Sequence, residues 1–163
     1  MKLKSDVVSD TEKVGEVLGK LLGIDDVVCL IGGLGAGKTA FTRGLSRGWG
    51  SGSRVTSPTF TLINEYTRST DDQIMHHLDC YRLSSNDDVE TIGLDDILNT
   101  DGPTIIEWPE VVVGWLPADY IAILIEPVTT AAENGRWVSF QSTGPHSSKL
   151  VEELADRLME EEK

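Results

Sequence analysis

One glycine-rich segment of the sequence has the residue types and spacing of a phosphate-binding loop. Residues 32–39 run Gly-Gly-Leu-Gly-Ala-Gly-Lys-Thr and fit the pattern G-x-x-x-x-G-K-[S/T]. Glycines let consecutive backbone N–H groups turn toward one point, and a following helix adds the positive end of its dipole. In this pattern the lysine reaches the β- and γ-phosphates, and the hydroxyl of the last residue ligates Mg²⁺. The predicted nucleotide-binding residues are Gly33, Leu34, Gly35, Ala36, Gly37, Lys38, Thr39 and Ala40.

The sequence also bears on which base the nucleotide carries. A guanine-specific switch protein is expected to show D-x-x-G after a strand and N-K-x-D further along. No aspartate here has a glycine three residues later, and no asparagine is followed by lysine. We therefore predict ATP as the nucleotide.

A magnesium site beside such a loop needs a carboxylate at the end of a neighbouring strand. Three acids end apolar runs, namely Asp79, Glu107 and Glu126. Asp79 and Glu107 continue into polar or aromatic residues that suit the rim of a site, whereas Glu126 is followed at once by a proline. Spacing alone does not rank Asp79 against Glu107, so both are predicted to be catalytic.

A second polar segment follows the predicted loop helix. Residues 54–61 are rich in Ser and Thr, and many P-loop ATPases place a segment that senses the γ-phosphate in this position. A threonine-rich edge strand explains the same composition. His76 and His77 lack metal-ligand spacing to any other His or Cys, and they are interpreted as residues on the face of a strand.

The elements that would position these residues follow from hydrophobic periodicity and from turn residues. A capping box at Ser9 and Glu12 opens a helix that Gly23 ends, and the loop helix is predicted to close at Gly48 and Gly50. Other predicted helices cover 85–98 and 149–159, and predicted strands cover 26–31, 59–66, 73–81, 103–108, 120–126 and 136–141. The order predicts a three-layer α/β P-loop NTPase fold with a parallel sheet core and an antiparallel hairpin, in one domain over 1–163.

Composition narrows the classes of function. The chain has 163 residues, with 27 acidic against 14 basic side chains and a formal net charge of -13. A field of that sign repels phosphate backbones, which disfavours direct binding of nucleic acid by this chain alone. No apolar run approaches the roughly 20 residues of a membrane helix, and Cys29 and Cys80 sit in apolar segments as expected of buried free thiols. We expect a cytoplasmic protein without a membrane partner.

Beyond the loop, five ordered blocks between residues 30 and 110 resemble the bacterial TsaE family, small P-loop ATPases of tRNA threonylcarbamoyladenosine (t6A) biosynthesis. The blocks are L-G-A-G-K-T with F-T-R-G, S-P-T-F-T-L with E-Y, H-L-D-C-Y-R-L, G-L-D-D, and I-E-W-P-E. The loop alone is shared by many proteins, whereas S-P-T-F-T with L-D-x-Y-R and I-E-W is far more specific. Gly33 departs from the family, which usually has an acid at this position.

The resemblance implies a role for each matched residue. Lys38 and the loop amides would hold phosphates, Thr39 and Glu107 would sit at Mg²⁺, and Asp79 would serve the magnesium and water network. The switch-like residues implied are Ser57, Thr59, Thr61, Trp108 and Glu110.

The resemblance also implies a function. The chain is similar to a subunit that binds and hydrolyses ATP, assembles with a TsaB–TsaD pair, and resets that complex. Such a subunit contacts tRNA only through its partners. ATP and Mg²⁺ are the implied cofactors. Two alternatives stay open at this stage: a small-molecule kinase, which the scarcity of arginine after Arg82 disfavours, and a nucleotide-dependent scaffold without hydrolysis.

Overall fold

A computed structural model describes residues 1–129 and 135–161 of the chain. Its strands are β1 (Lys2–Ser5), β2 (Val27–Ile31), β3 (Ile63–Thr67), β4 (Ile74–Asp79), β5 (Thr104–Glu107), β6 (Ile121–Pro127) and β7 (Arg136–Ser142). Its α-helices are α1 (Val8–Gly19), α2 (Lys38–Trp49), α3 (Asn86–Thr91), α4 (Leu94–Leu98) and α5 (Pro145–Glu161), with short 3₁₀ turns at Pro109–Val111 and Val113–Trp115.

The strands form one mixed sheet in the order β1-β7-β6-β2-β5-β4-β3. The four central strands β6, β2, β5 and β4 run parallel, while β3 pairs antiparallel with β4, and β7 pairs antiparallel with both β6 and β1. The predicted parallel core and the antiparallel pairing of β3 with β4 are confirmed.

Helices cover both faces of the sheet. The apolar faces of α1, α2 and α5 pack on one side, and α3, α4 and the 3₁₀ turns pack on the other. Strand β2 contributes Val28 and Leu30 to the first side and Val27 and Cys29 to the second. This double burial explains why the strand is a continuous apolar run rather than an alternating one.

Helices α1 and α2 touch through their backbones. Each carries glycines four residues apart, and a Cβ atom on Gly44 of α2 would lie 1.9 Å from the carbonyl oxygen of Glu12 in α1. The other glycines at this contact are Gly15, Gly19 and Gly48. Gly48 therefore does not close α2 as predicted, because it lies inside the helix, which ends at Trp49 with Gly50 as a left-handed cap.

Three features of the predicted helices are wrong for local reasons. Helix α1 begins at Val8, because the carboxylate of Asp10 accepts hydrogen bonds from the N–H groups of Asp6 at 2.9 Å and Val7 at 3.1 Å. Ser9 is thus inside the helix, and the helix ends at Gly19, before Gly23. The single helix predicted over 85–98 is two helices, separated by Gly93 in the left-handed region at φ 69°.

The strand predicted over 59–66 begins only at Ile63. Leu62 adopts φ 68°, and its N–H bonds to the carbonyl of Pro58 at 2.7 Å, so a turn precedes the strand. The edge-strand interpretation of the Ser/Thr-rich segment is therefore wrong. The short strand β1 was not predicted, and within the described residues no helix is long and apolar enough to cross a membrane.

The two cysteines are buried free thiols, as predicted. Burial, and after it the nearby Cys80 and Glu110 side chains, raise the pKa of the Cys29 thiol to about 12. Burial and the neighbouring carboxylates of Asp79 and Glu110 likewise raise the pKa of the Cys80 thiol to about 12.

Neither thiol is expected to react with Ellman's reagent in the folded protein at pH 8, because the thiolate is the reactive form. Unfolding in guanidinium should expose two reactive thiols per chain, and the absorbance at 412 nm counts the thiols that have reacted. Fast labelling of either cysteine before unfolding would contradict the burial described above.

Candidate functional site

The glycine-rich loop lies between the carboxyl end of β2 and the start of α2, which begins at Lys38. Gly35 and Gly37 have φ values of 73° and 116°, in the left-handed region that favours glycine. Gly37 is the N-cap of α2, so the loop leads directly into the positively polarised N-terminus of that helix. This arrangement can bind an anion.

Five segments meet in one pocket of about 200 Å³ at this end of the sheet. Its lining residues are Leu34, Gly35, Ala36, Gly37, Lys38, Thr39, Ser57, Thr59, Asp79, Glu107 and Trp108. The carboxyl ends of adjacent parallel strands put Asp79 and Glu107 side by side, since they are register partners in β4 and β5. The fold thus gathers an anion-binding loop, one lysine, three hydroxyls and two carboxylates.

Lys38 lies folded onto its own loop. Its Nζ donates to the carbonyl oxygen of Gly32 at 2.6 Å and to that of Gly33 at 3.0 Å, and it lies 4.7 Å from the ring centroid of Trp108. The side chain is buried at one wall of the pocket. The ammonium charge therefore lies directly over the loop, where it would meet a bound phosphate.

The carboxylate of Asp79 links strand β4 to the Ser/Thr-rich segment. It accepts a hydrogen bond from Thr59 Oγ1 at 2.9 Å, and its other oxygen accepts from the N–H of Tyr81 at 2.9 Å. Ser57 Oγ lies 2.8 Å from Thr59 Oγ1, so both hydroxyls belong to one network. A change at the phosphate position can reach this segment through the network.

The donor set of the pocket suits Mg²⁺. This ion prefers oxygen ligands and is bound by one or two carboxylates together with phosphate oxygens. Thr39, Asp79 and Glu107 supply such oxygens around one space. Among the described residues no cluster of three or more His, Cys, Asp or Glu side chains suits a metal bound by protein groups alone.

Comparison with known proteins assigns the family. The model of the family "Threonylcarbamoyl adenosine biosynthesis protein TsaE" matches residues 5–136. The chain belongs to the TsaE family. Its fold is that of a P-loop NTPase, and the family description places it in t6A biosynthesis, a tRNA-processing pathway.

Related proteins support the family assignment over most of the chain. The tRNA threonylcarbamoyladenosine biosynthesis protein TsaE of Bacillus subtilis is 34% identical over 90% of this chain and 88% of its own length. That of Treponema pallidum is 41% identical over 76% of this chain and 89% of its own length. The crystal structure of Bacillus subtilis YdiB superposes with a TM-score of 0.78 at 28% identity, covering 96% of this chain and 95% of that one.

Some residues predicted for the site lie outside the pocket lining. Ala40 is inside α2, and the hydroxyl of Thr61 donates instead to Asn64 Oδ1 at 2.9 Å. Glu110 lines a separate small apolar pocket beside Cys29. The carbonyl oxygen of Gly33 accepts a hydrogen bond from Lys38. A Cβ atom on Gly33 would meet nothing within 4 Å, so the acidic residue that is usual here in TsaE proteins would fit without a clash.

Two arginines of α2 are paired with acids of α1. Arg43 Nη1 donates to Glu12 Oε1 at 2.5 Å, and Arg47 Nε donates to Glu16 Oε2 at 2.7 Å. Hydrogen bonding to Arg47 lowers the pKa of Glu16. The positive charge of these two arginines is therefore balanced by carboxylates of α1.

Sequence reasoning missed two residues at the site. His77 is fully buried and contacts Glu107, and the Arg136 guanidinium donates to the loop carbonyls of Ala36 and Gly35. Strand alternation could have identified His77, since it shares a strand face with Asp79 two residues on. No sequence signal connects Arg136 with a loop about a hundred residues earlier.

Proposed function

We propose that this protein binds ATP in the pocket between the loop and the two carboxylates. The observation that carries the proposal is the convergence of Lys38, Thr39, Asp79 and Glu107 on one space at the mouth of the loop. Loop amides and Lys38 would hold the phosphates, and the absence of guanine-specific motifs favours adenine. The pocket is the site of a single P-loop ATPase domain over 1–163.

Thr39 and Glu107 would hold Mg²⁺, with Asp79 ordering the surrounding hydroxyls and water. The metal would neutralise charge on the phosphate oxygens during phosphoryl transfer. Glu107 is buried, so its carboxylate stays fixed in the wall of the pocket rather than free in solvent. Such preorganised charge is the main catalytic resource of a phosphoryl-transfer site.

Hydrolysis is expected to be slow in the isolated protein. Among the described residues that line the pocket there is no arginine, and Arg136 is engaged with carbonyls of the loop. An arginine supplied by a partner is typically worth about 10³–10⁵ in rate. We therefore propose an ATPase that partners activate.

The rim of the pocket supports docking of a partner over the nucleotide. Leu34 and Phe60 expose 82% and 87% of their surface, and Tyr81 exposes 57%. Leu34 lines the pocket, Phe60 follows Thr59 of the lining, and the Tyr81 ring packs 4.9 Å from that of Trp108. Apolar exposure at such a rim marks an interaction surface. Arg82 stacks 5.9 Å from the ring centroid of Phe60 and adds a charge at the same rim.

We propose that TsaB and TsaD homologues are these partners and that ATP hydrolysis resets their complex in the cytoplasm. The net charge of -13 supports a role in which the partners, rather than this chain, bind the tRNA. The family's place in t6A biosynthesis supports the choice of partners.

Multiple-turnover t6A formation tests the proposal. Purified TsaB and TsaD homologues and substrate tRNA, under conditions that support the modification, are combined with wild-type protein or with Glu107→Gln. The wild type should sustain many rounds, whereas Glu107→Gln should bind ATP and stop after about one round per complex. Equal yields would favour a scaffold without hydrolysis, and ATP use that needs only a small acceptor would favour a kinase.

A further inference from the structure

His77 lies in β4 and contacts Glu107, a residue of the pocket wall. Its side chain is fully buried, and its Nε2 is 2.8 Å from Oε1 of Glu107. Its Nδ1 is 3.0 Å from the hydroxyl of Tyr66, which is also buried. Both ring nitrogens therefore have partners.

The chemistry of Glu107 fixes the direction of one of these hydrogen bonds. A carboxylate only accepts, so Nε2 of His77 donates to Glu107. The other ring nitrogen, Nδ1, is held by the Tyr66 hydroxyl. Holding the far nitrogen in this way sets the plane of the ring, as it does for histidines at metal sites.

The chain of contacts continues into the Ser/Thr-rich segment. The Tyr66 hydroxyl is 3.3 Å from the carbonyl oxygen of Thr56, which also accepts from Asn64 Nδ2 at 3.1 Å. Thr56 precedes Ser57, a residue of the pocket lining. The segment is thus tied to both carboxylates, through Thr59 to Asp79 and through Tyr66 and His77 to Glu107.

We propose that His77 is a positioning residue that holds the Glu107 carboxylate in the orientation needed for Mg²⁺, and that Tyr66 orients His77. The inference rests on the proposed binding of Mg²⁺–ATP. Glu107 is 3% exposed and lies within the pocket wall, so a buried donor is needed to compensate its charge and to fix its rotamer. His77 is that donor.

The neighbouring histidine provides a matched comparison. His76 is also buried in β4 but lies on the opposite face, with Nε2 3.3 Å from exposed Glu65 and Nδ1 3.3 Å from Thr100 Oγ1. The two histidines thus share residue type, strand and burial but differ in whether they contact the site. Substituting His76 reports the cost of losing a buried imidazole from β4.

The test measures how strongly Mg²⁺ supports nucleotide binding. Binding of mant-ATP is followed by fluorescence, first in EDTA and then as MgCl₂ is added, with melting temperatures recorded for every variant. Loss of a histidine's outer partner typically costs about 10–100-fold in metal affinity, and the same range is expected here for loss of the histidine behind a ligating carboxylate. His77→Leu should therefore raise the half-saturating Mg²⁺ concentration by roughly 10–100-fold, while the affinity in EDTA stays at the wild-type value.

The companion variants separate positioning from folding. His77→Gln, whose amide can donate to Glu107, should recover part of the Mg²⁺ response, Tyr66→Phe should cause a smaller rise, and His76→Leu should cause none. If His77→Leu and His76→Leu lower stability alike and leave the Mg²⁺ response unchanged, the inference is overturned. If His77→Leu does not fold, an unchanged Mg²⁺ response in both His77→Gln and Tyr66→Phe overturns it.

Glu107→Gln distinguishes failure of this inference from failure of the proposed function. A shift in Glu107→Gln with none in the His77 variants would overturn the positioning role and leave the Mg²⁺–ATP site standing. A wild-type protein whose mant-ATP binding ignores Mg²⁺ would overturn both.

Discussion

Replacing Lys38 with alanine is expected to lower the affinity for ATP by about a hundred-fold or more. Lys38 is the only cationic side chain among the described residues that line the pocket, which also holds the carboxylates of Asp79 and Glu107. Hydrogen bonds from a charged donor are worth roughly 1.5–3 kcal/mol each, and this ammonium can make two to the phosphates. Without it the phosphates would face two carboxylates and neutral groups only.

Isothermal titration calorimetry with Mg²⁺–ATP measures this loss. Lys149→Ala removes an exposed lysine of α5 and serves as the control for a change in net charge. A Lys38→Ala protein that retains its helical circular dichroism and binds ATP within a few-fold of wild type would show that the nucleotide binds elsewhere.

Substituting valine for Gly44 is expected to cause a large loss of stability without touching the pocket. Its Cβ would lie 1.9 Å from the Glu12 carbonyl oxygen, so α1 and α2 would have to separate. Overpacking typically costs about 1–3 kcal/mol, and a clash with the backbone of α1, which cannot move without moving the helix, is expected at or beyond the top of that range. We expect a loss of about 3 kcal/mol, or roughly 6–12 °C in Tm for a chain of this length.

Thermal unfolding followed by circular dichroism measures the effect. Gly114→Ala is the control, since a Cβ at Gly114 would meet nothing within 4 Å. It should leave Tm within a degree or two of wild type. Wild-type Tm in Gly44→Val would show that the two helices are not in backbone contact.

Much of the fold was predictable because its signals are local. The apolar run of β2, the glycine loop and the start of α2 follow one another in sequence, and together they define the P-loop unit. Asp79 and Glu107 were both predictable as strand-end acids, and their register pairing explains why spacing alone could not rank them. Each ends a parallel strand that borders the same pocket.

The remaining features depend on contacts between distant residues. The turn at Leu62 is held by Pro58 within a sequence whose composition suits a strand. The contacts of His77 and Arg136 with the site are made across the sheet and between ends of the chain. The paired glycines of α1 and α2 were visible as two G-x-x-x-G spacings, but only the packed helices show that they face one another.

Steady-state ATP hydrolysis by the isolated protein, and again with TsaB and TsaD homologues and tRNA added, shows whether partners activate this ATPase. We predict very slow turnover alone and stimulation of about 10³-fold or more on assembly, lost in Glu107→Ala. Turnover by the isolated protein as fast as that of the assembled complex would contradict a partner-activated ATPase.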